Sequence, residues 1–172
     1  MPKYPLPEIK NDHQELENVG RYSHIKIDEH IDEELPKARL ALANNQNNLA
    51  NNTWVKVALD NETFNVGCKA DVTSGRVTIN KAGYYLVIGQ IAFTSVVADK
   101  RYFTAIYVNG VDQPITAIHA SVAASLYVNT QDVLYLSIDD YVELYAKQIS
   151  GGNLVDIAGT TTYTFLNVIY LK

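Results

Sequence analysis

The sequence predicts an all-β domain with the strand spacing of a jelly roll, and three observations support this prediction. Turn signals that contain glycine recur along the chain, at Ser74-Gly75, Ala82-Gly83 and Asn109-Gly110. Apolar, β-branched and tyrosine-rich runs lie between these turns, and such runs are typical of strands. No stretch from residue 74 onward has a long helical period. These features together predict successive strands joined by tight turns.

The predicted strands follow one another in order. After the turn at Ser74-Gly75, alternation places Val77 and Ile79 on one face, and a second turn leads into a long strand over residues 84–93. Asn109-Gly110 is the strongest two-residue hairpin signal, and it pairs residues 101–108 with residues 115–119. The remaining strands are predicted over residues 125–138, 141–148 and 161–171, with a break at Asp139-Asp140.

Six short motifs occur in a fixed order along residues 54–171: Phe64-Asn65-Val66-Gly67, Thr73-Ser74-Gly75-Arg76-Val77, Ala82-Gly83-Tyr84-Tyr85-Leu86, Tyr107-Val108-Asn109-Gly110, Asp140-Tyr141-Val142-Glu143-Leu144, and Tyr163-Thr164-Phe165-Leu166-Asn167-Val168-Ile169-Tyr170-Leu171. Their order resembles the globular head shared by complement C1q-like proteins and the tumour necrosis factor superfamily. The resemblance implies a ten-stranded, two-sheet jelly roll that assembles as a trimer through an aromatic-rich axial face. The last motif departs from the family pattern because Asn167 stands where a small glycine is usual.

Tyrosine is the residue type that points most directly to a surface contact. The chain has twelve tyrosines, and most fall on alternating strand positions of the predicted head. Tyrosine combines an apolar ring with a polar tip and is enriched where protein surfaces meet. The resemblance implies that the trimer axis of the head is lined by Tyr84, Tyr163, Phe165 and Tyr170.

The first 22 residues are predicted to form an extended arm. Pro2, Pro5 and Pro7 interrupt a stretch that has few large apolar side chains and no sustained period, so it cannot bury a core of its own. We expect this arm to dock on a larger assembly through its apolar side chains, Tyr4, Leu6, Ile9 and Leu16.

Residues 23–52 are predicted to form a short α-helical stem between the arm and a head over residues 53–172. Leu35, Leu42 and Leu49 repeat every seven residues, which is the spacing of a coiled-coil seam, here a trimeric one. About two heptads are too few to be stable alone, so the stem is expected to follow trimerisation of the head. The alternative is a solvated, asparagine-rich linker over residues 44–52.

Composition narrows the class of protein. The chain has 172 residues, a formal net charge of −5 and one cysteine. The acidic balance gives no basic footprint for nucleic acid or an anionic membrane, and Cys68 is expected to be a structural thiol. The chain has no positively charged start followed by an apolar run, and no segment reaches the roughly 20 apolar residues of a membrane span. We therefore expect a soluble protein made in a host cytoplasm and carried on a virion surface.

Candidate catalytic and metal-binding groups are weak. His24 and His30 are six residues apart and would not share one helix face. Acidic residues could offer calcium ligands at two places, Asp60 with Glu62 and Asp132 with Asp139-Asp140, but neither has the spacing of a calcium loop. His119 with Ser121 or Ser125 lacks an elbow motif for a nucleophile. The sequence therefore predicts no enzyme activity, no cofactor and no metal.

The function predicted from these features is structural. We expect a non-enzymatic, homotrimeric bacteriophage virion protein, namely a capsid decoration or head-fibre protein. Its N-terminal arm is expected to bind the major capsid protein or another virion protein. The alternative is a tail or baseplate receptor-binding protein that recognises a host cell-surface saccharide. Trp54, expected to seal the core where stem meets head, counts against that alternative. A secreted signalling ligand is disfavoured because an export signal is expected for one.

Overall fold

Two antiparallel sheets face each other in the computed structural model, which describes residues 34–152 and 155–172. The described residues form twelve strands: β1 Lys37–Ala41, β2 Val55–Lys56, β3 Asn61–Val66, β4 Lys69–Asp71, β5 Arg76–Thr78, β6 Gly83–Thr94, β7 Lys100–Val108, β8 Val111–Ala120, β9 Leu126–Leu136, β10 Tyr141–Ile149, β11 Asp156–Ile157 and β12 Phe165–Tyr170. Ten strands remain when the two-residue β2 and β11 are set aside. The predicted jelly roll is confirmed.

Each sheet is built around one long central strand. In sheet A, β6 pairs with β9 on one side and with β12 and β11 on the other, and β1 and β3 continue the sheet beyond β12. In sheet B, β10 pairs with β7 on one side and with β5 and β2 on the other. β8 and β4 form the two edges of sheet B.

The turn chemistry of the sequence appears in the structure as predicted. Asn109 and Gly110 have φ angles of 53° and 79°, and positive φ at both positions is the requirement of the favoured two-residue hairpin turn. This turn sets Val108 opposite Val111, so β7 and β8 form the expected hairpin. The predicted strands at 84–93, 141–148 and 161–171 correspond to β6, β10 and β12.

The core lies between the two sheets. Strand residues alternate between buried and more exposed positions, as the burial pattern of β6 illustrates, because successive side chains of a strand point to opposite faces. Tyr85, Phe93 and Tyr102 are the largest fully buried aromatic side chains. The two sheets are in close contact at Gly89, where a Cβ would force the Leu144 side chain to shift.

The helical stem predicted over residues 23–52 is wrong where the structure describes it. Residues 37–41 form β1, in sheet A between β12 and β3. Leu42 and Leu49 are 1% and 2% exposed in the core, whereas Leu35 is 51% exposed. Ala38, Leu40 and Leu42 lie at every second position and are all buried. The buried residues therefore follow the two-residue repeat of a strand and not the seven-residue repeat of a coiled coil. The compact unit begins at Leu35 rather than at residue 53, and residues 23–33 lie outside the described part.

The asparagine-rich segment over residues 44–52, here called the strap, is mostly exposed to solvent, but it is hydrogen-bonded along the head and is not a free linker. Asn45 Oδ1 accepts a hydrogen bond from Gly159 N at 2.7 Å. Gln46 joins the strap to the chain at and just after β2: its Nε2 donates to Lys56 O and its Oε1 accepts from Ala58 N, both at 2.9 Å. The fully buried Gln148 donates to Leu49 O at 2.9 Å. Side-chain amides therefore fix the strap by supplying partners for backbone groups that no sheet ladder satisfies.

Candidate interaction surfaces

The outer face of sheet A carries large apolar side chains that nothing in the described chain covers fully. We call it the A face. Its members come from four of the sheet's strands, β3, β6, β9 and β12, and from the loop before β12, and they are exposed or half-buried: Phe64, Tyr84, Leu86, Ile88, Tyr127, Val133, Tyr135, Tyr163, Phe165 and Ile169. The register aligns them in rows, with Leu86 opposite both Val133 and Ile169. Exposed large apolar side chains clustered on one face in this way mark an interaction site.

Two tyrosine pairs stand towards opposite ends of the A face. Tyr84 and Tyr135 pack edge-to-face with ring centroids 5.3 Å apart, and Tyr127 and Tyr163 do so at 5.5 Å. Tyr84 is 53% exposed and Tyr135 is 61% exposed. Each pair holds its two rings in place while leaving apolar area open to a partner.

Arg39 is a cation on the A face, and contacts on two sides fix its position. Its guanidinium carbon lies 3.8 Å from the centroid of the Phe165 ring. Nη1 donates to Asn167 Oδ1 at 3.1 Å, and Nη2 donates to Thr161 O at 3.0 Å. Burial lowers the pKa of Arg39 from its ordinary value. Asn167, the departure from the family's glycine, therefore serves as an acceptor for this guanidinium.

Three of the four head residues predicted to line the trimer axis lie on the A face, and the fourth does not. Tyr84, Tyr163 and Phe165 lie on the A face. Tyr170 does not, because its ring packs towards the core against Tyr85, with centroids 5.2 Å apart. The stem residues also lie elsewhere, as described above. The predicted docking residues of the arm fall outside the described residues; they are Tyr4, Leu6, Ile9 and Leu16.

Sequence reasoning missed the aliphatic centre of the A face, which is formed by Leu86, Ile88 and Ile169. A signal for it was present. Residues 84–88 are apolar at both odd and even positions, whereas an antiparallel strand with one solvated face alternates apolar and polar residues. Such a run in an antiparallel sheet indicates that both faces are to be covered.

A second cluster lies on the outer face of sheet B, and we call it the aromatic platform. The Trp54 ring lies 6.1 Å from both Phe103 and Tyr107 in edge-to-face contacts, and Tyr107 stacks on Tyr145 at 4.0 Å. All four side chains are half-buried. The expectation that Trp54 seals the core is wrong. Because successive side chains of a strand point to opposite faces, Trp54 points to the same outer face as Lys56, and its ring contacts Phe103 and Tyr107 of β7 there.

Charged side chains lie at both ends of the platform, near Phe103 and near Tyr145. Lys147 Nζ lies 5.7 Å from the Trp54 centroid and 5.9 Å from the Phe103 centroid, and the Arg101 guanidinium lies 5.9 Å from Phe103. Beside Tyr145, Lys56 forms an ion pair with Glu143, whose side chain is 8% exposed. Burial raises the pKa of Tyr145, and the neighbouring Glu143 carboxylate raises it further, so this phenol stays protonated as a donor.

A cleft of about 380 Å³ opens beside the platform, and Lys56, which lies next to Tyr145, is one of its lining residues. Its other lining residues come from the chain after β2 and from the turn between β4 and β5: Ala58, Asp60, Val72, Thr73, Ser74 and Gly75. Burial raises the pKa of Asp60, but hydrogen bonds from Ala43 N–H and the Asn44 amide outweigh it and leave the pKa below its ordinary value. Asp60 is therefore a carboxylate at neutral pH.

The other polar candidates have structural surroundings. His119 is exposed on β8 opposite Arg101, and no hydrogen bond within the described ranges joins it to Ser121 or Ser125. Asp140 accepts hydrogen bonds from Ser137 N and Asn109 Nδ2, both at 2.7 Å, so its carboxylate fixes the turn. Residues 34–152 and 155–172 contain no group of three His, Cys, Asp or Glu placed to hold a metal ion. They also contain no helix suited to crossing a membrane.

Comparison with known proteins identifies the fold. The crystal structure of murine APRIL at pH 5.0 is similar with a TM-score of 0.62 and 14% identity, over 80% of this chain and 100% of that chain. The structure of Eiger TNF from S. frugiperda is similar with a TM-score of 0.57 and 12% identity, over 81% and 94% of the two chains. No family model and no curated protein matches the sequence. The chain therefore has a TNF-like jelly-roll fold, as the order of its motifs implied.

Proposed function

We propose that this chain is a non-enzymatic, homotrimeric binding protein whose A face is buried between protomers. The observation that carries this proposal is that β6 and β12 carry large apolar side chains on the outer face as well as on the inner one, and a single chain covers only the inner face. Burying apolar surface is the main favourable term in association. The choice of three copies rests on analogy with the TNF-like fold, and an analogy of fold does not by itself transfer function.

The particle that we propose for this trimer is a bacteriophage virion. The protein would be made in the host cytoplasm and would sit on the virion surface as a capsid decoration or head-fibre protein. The proline-punctuated arm supports this proposal, because residues 1–22 offer apolar side chains without enough of them for a core. The arm would bind the major capsid protein or another virion protein.

Removing residues 1–22 tests the docking role of the arm. We expect the shortened chain to keep the mass of the wild-type oligomer in solution but to be missing from purified particles imaged by cryo-electron microscopy. A matched control replaces two polar arm residues, Lys10→Ala and Asn11→Ala, and should be incorporated normally. Density for the wild-type head distributed over the capsid supports decoration. Incorporation of the shortened chain at the wild-type level contradicts the docking role.

A second candidate is a tail or baseplate receptor-binding protein that recognises a host saccharide. The half-exposed Trp54 on the aromatic platform favours it, because an indole at a surface offers a stacking plane. Labelling confined to a tail tip in the same images would support this second function over decoration.

A further inference from the structure

We propose that the aromatic platform on sheet B binds an acidic saccharide, with a sugar ring against Trp54 and the acidic group at Lys147 and Arg101. This inference names the site and ligand class for the second candidate function. It can be tested on the isolated protein and does not depend on the trimer, because the platform lies on the sheet opposite the A face.

The geometry supplies a rigid stacking surface. Phe103 and Tyr107 stand on β7, Tyr145 stands on the neighbouring β10, and Trp54 directly precedes β2. Each ring is held by at least one other ring, at centroid distances between 4.0 and 6.1 Å. Binding sites combine such aromatic area with a few polar groups that fix the orientation of a ligand. A pyranose ring matches this surface because its C–H groups form an apolar face and its hydroxyls project from the rim.

The charge distribution selects an acidic ligand. Lys147 and Arg101 lie over the rings at the Phe103 end of the platform, and neither forms an ion pair within the described residues. The exposed His119 lies across the ladder from Arg101. Lys147 and Arg101 make this end locally cationic on a chain with a net charge of −5. Ammonium and guanidinium groups bind carboxylates and phosphates through charge-assisted hydrogen bonds.

The opposite end of the platform has a different character. Glu143 is neutralised there by Lys56, and Asp112 lies opposite Tyr107 in the ladder. The exposed Asp112 carboxylate would repel an anionic group at this end, so the charges give the ligand one orientation. The adjoining cleft of about 380 Å³, which is within the usual size range of small-ligand sites, leaves room next to Lys56 for a further neutral sugar unit.

The intrinsic fluorescence of Trp54 tests this inference directly, since it is the only tryptophan of the chain. The probes are trigalacturonate, which is acidic, and maltotriose, which is neutral. We expect saturable quenching by trigalacturonate, at least about tenfold weaker binding of maltotriose, and weakening of trigalacturonate binding as salt rises to about 0.5 M.

Substitutions at the cationic end provide the second part of the test. Lys147→Ala and Arg101→Ala should each weaken trigalacturonate binding by about tenfold, whereas Lys69→Ala, an exposed lysine on β4, should leave it unchanged. Circular dichroism shows whether each variant is folded, and calorimetry measures binding to Trp54→Ala, which should lose it. No saturable response up to about 10 mM of either sugar, or equal binding by Lys147→Ala and wild type, overturns the inference.

Discussion

Replacing Leu42 by alanine tests whether residues 35–49 belong to the head. Leu42 is 1% exposed, and its backbone N–H is held by Thr164 O at 3.0 Å, so the site cannot collapse easily around the missing atoms. Leucine-to-alanine changes in a core cost about 2–5 kcal/mol, and we expect about 3–4 kcal/mol here. The same change at Leu49, 2% exposed, should fall in the same range.

Leu35 is the matched control, because it belongs to the same heptad set but is 51% exposed. Leu35→Ala should alter the free energy of unfolding by less than about 0.5 kcal/mol. The assay is urea unfolding followed by circular dichroism, with all variants at one protomer concentration because association adds to apparent stability. Equal losses for the three variants would refute the strand assignment and restore the coiled-coil seam.

Three further predictions concern other parts of the head. Gly159→Ala should lower the free energy of unfolding by more than about 2 kcal/mol, because a Cβ would overlap the backbone of Asn44. Gly152 has open space around it, so Gly152→Ala should change the urea midpoint little. Equal midpoints for the two variants would contradict the docking of the strap. Burial raises the pKa of Cys68 to about 11 and the pKa of Tyr85 to about 12. The stability gained from their neutral forms is therefore complete below their ordinary pKa values and is lost as pH rises through about 11 to 12. Urea midpoints that stay constant as pH rises from about 8 through this range would contradict the prediction. Lys56→Met should cost about 1–3 kcal/mol because it leaves the buried Glu143 without its ion pair, and the same change in a Glu143→Gln background should cost less, as a double-mutant cycle can measure.

Local turn chemistry and strand period made the fold predictable from the sequence. Asn109-Gly110 forms the hairpin predicted, and β6, β10 and β12 lie where alternating and β-branched runs indicated strands. The stem failed because Leu35, Leu42 and Leu49 satisfy a heptad while the residues between them also satisfy a strand. Only tertiary packing of β1 against β12 and β3 decides between the two.

The candidate surfaces were less predictable because they depend on which side of a strand each residue faces. Phe165 and Tyr170 are five positions apart on one strand, so they cannot share a face, and this alone excluded Tyr170 from the A face. The position of Trp54 was harder to predict, because it depends on the register that places β2 on one side of β10 and β7 on the other.

The mass of the chain in solution, measured by sedimentation for wild type and Ile88→Glu, tests the central claim most directly. Ile88 is half-buried at the centre of the A face, with Gln131 and Asn167 beside it. We predict three times the 19.1 kDa chain mass for wild type and for the control Val111→Glu, which is 61% exposed at the β7–β8 turn. Ile88→Glu should sediment as folded single chains. A wild-type protein of single-chain mass, or an Ile88→Glu variant that keeps three copies, would contradict the claim that the A face joins the protomers.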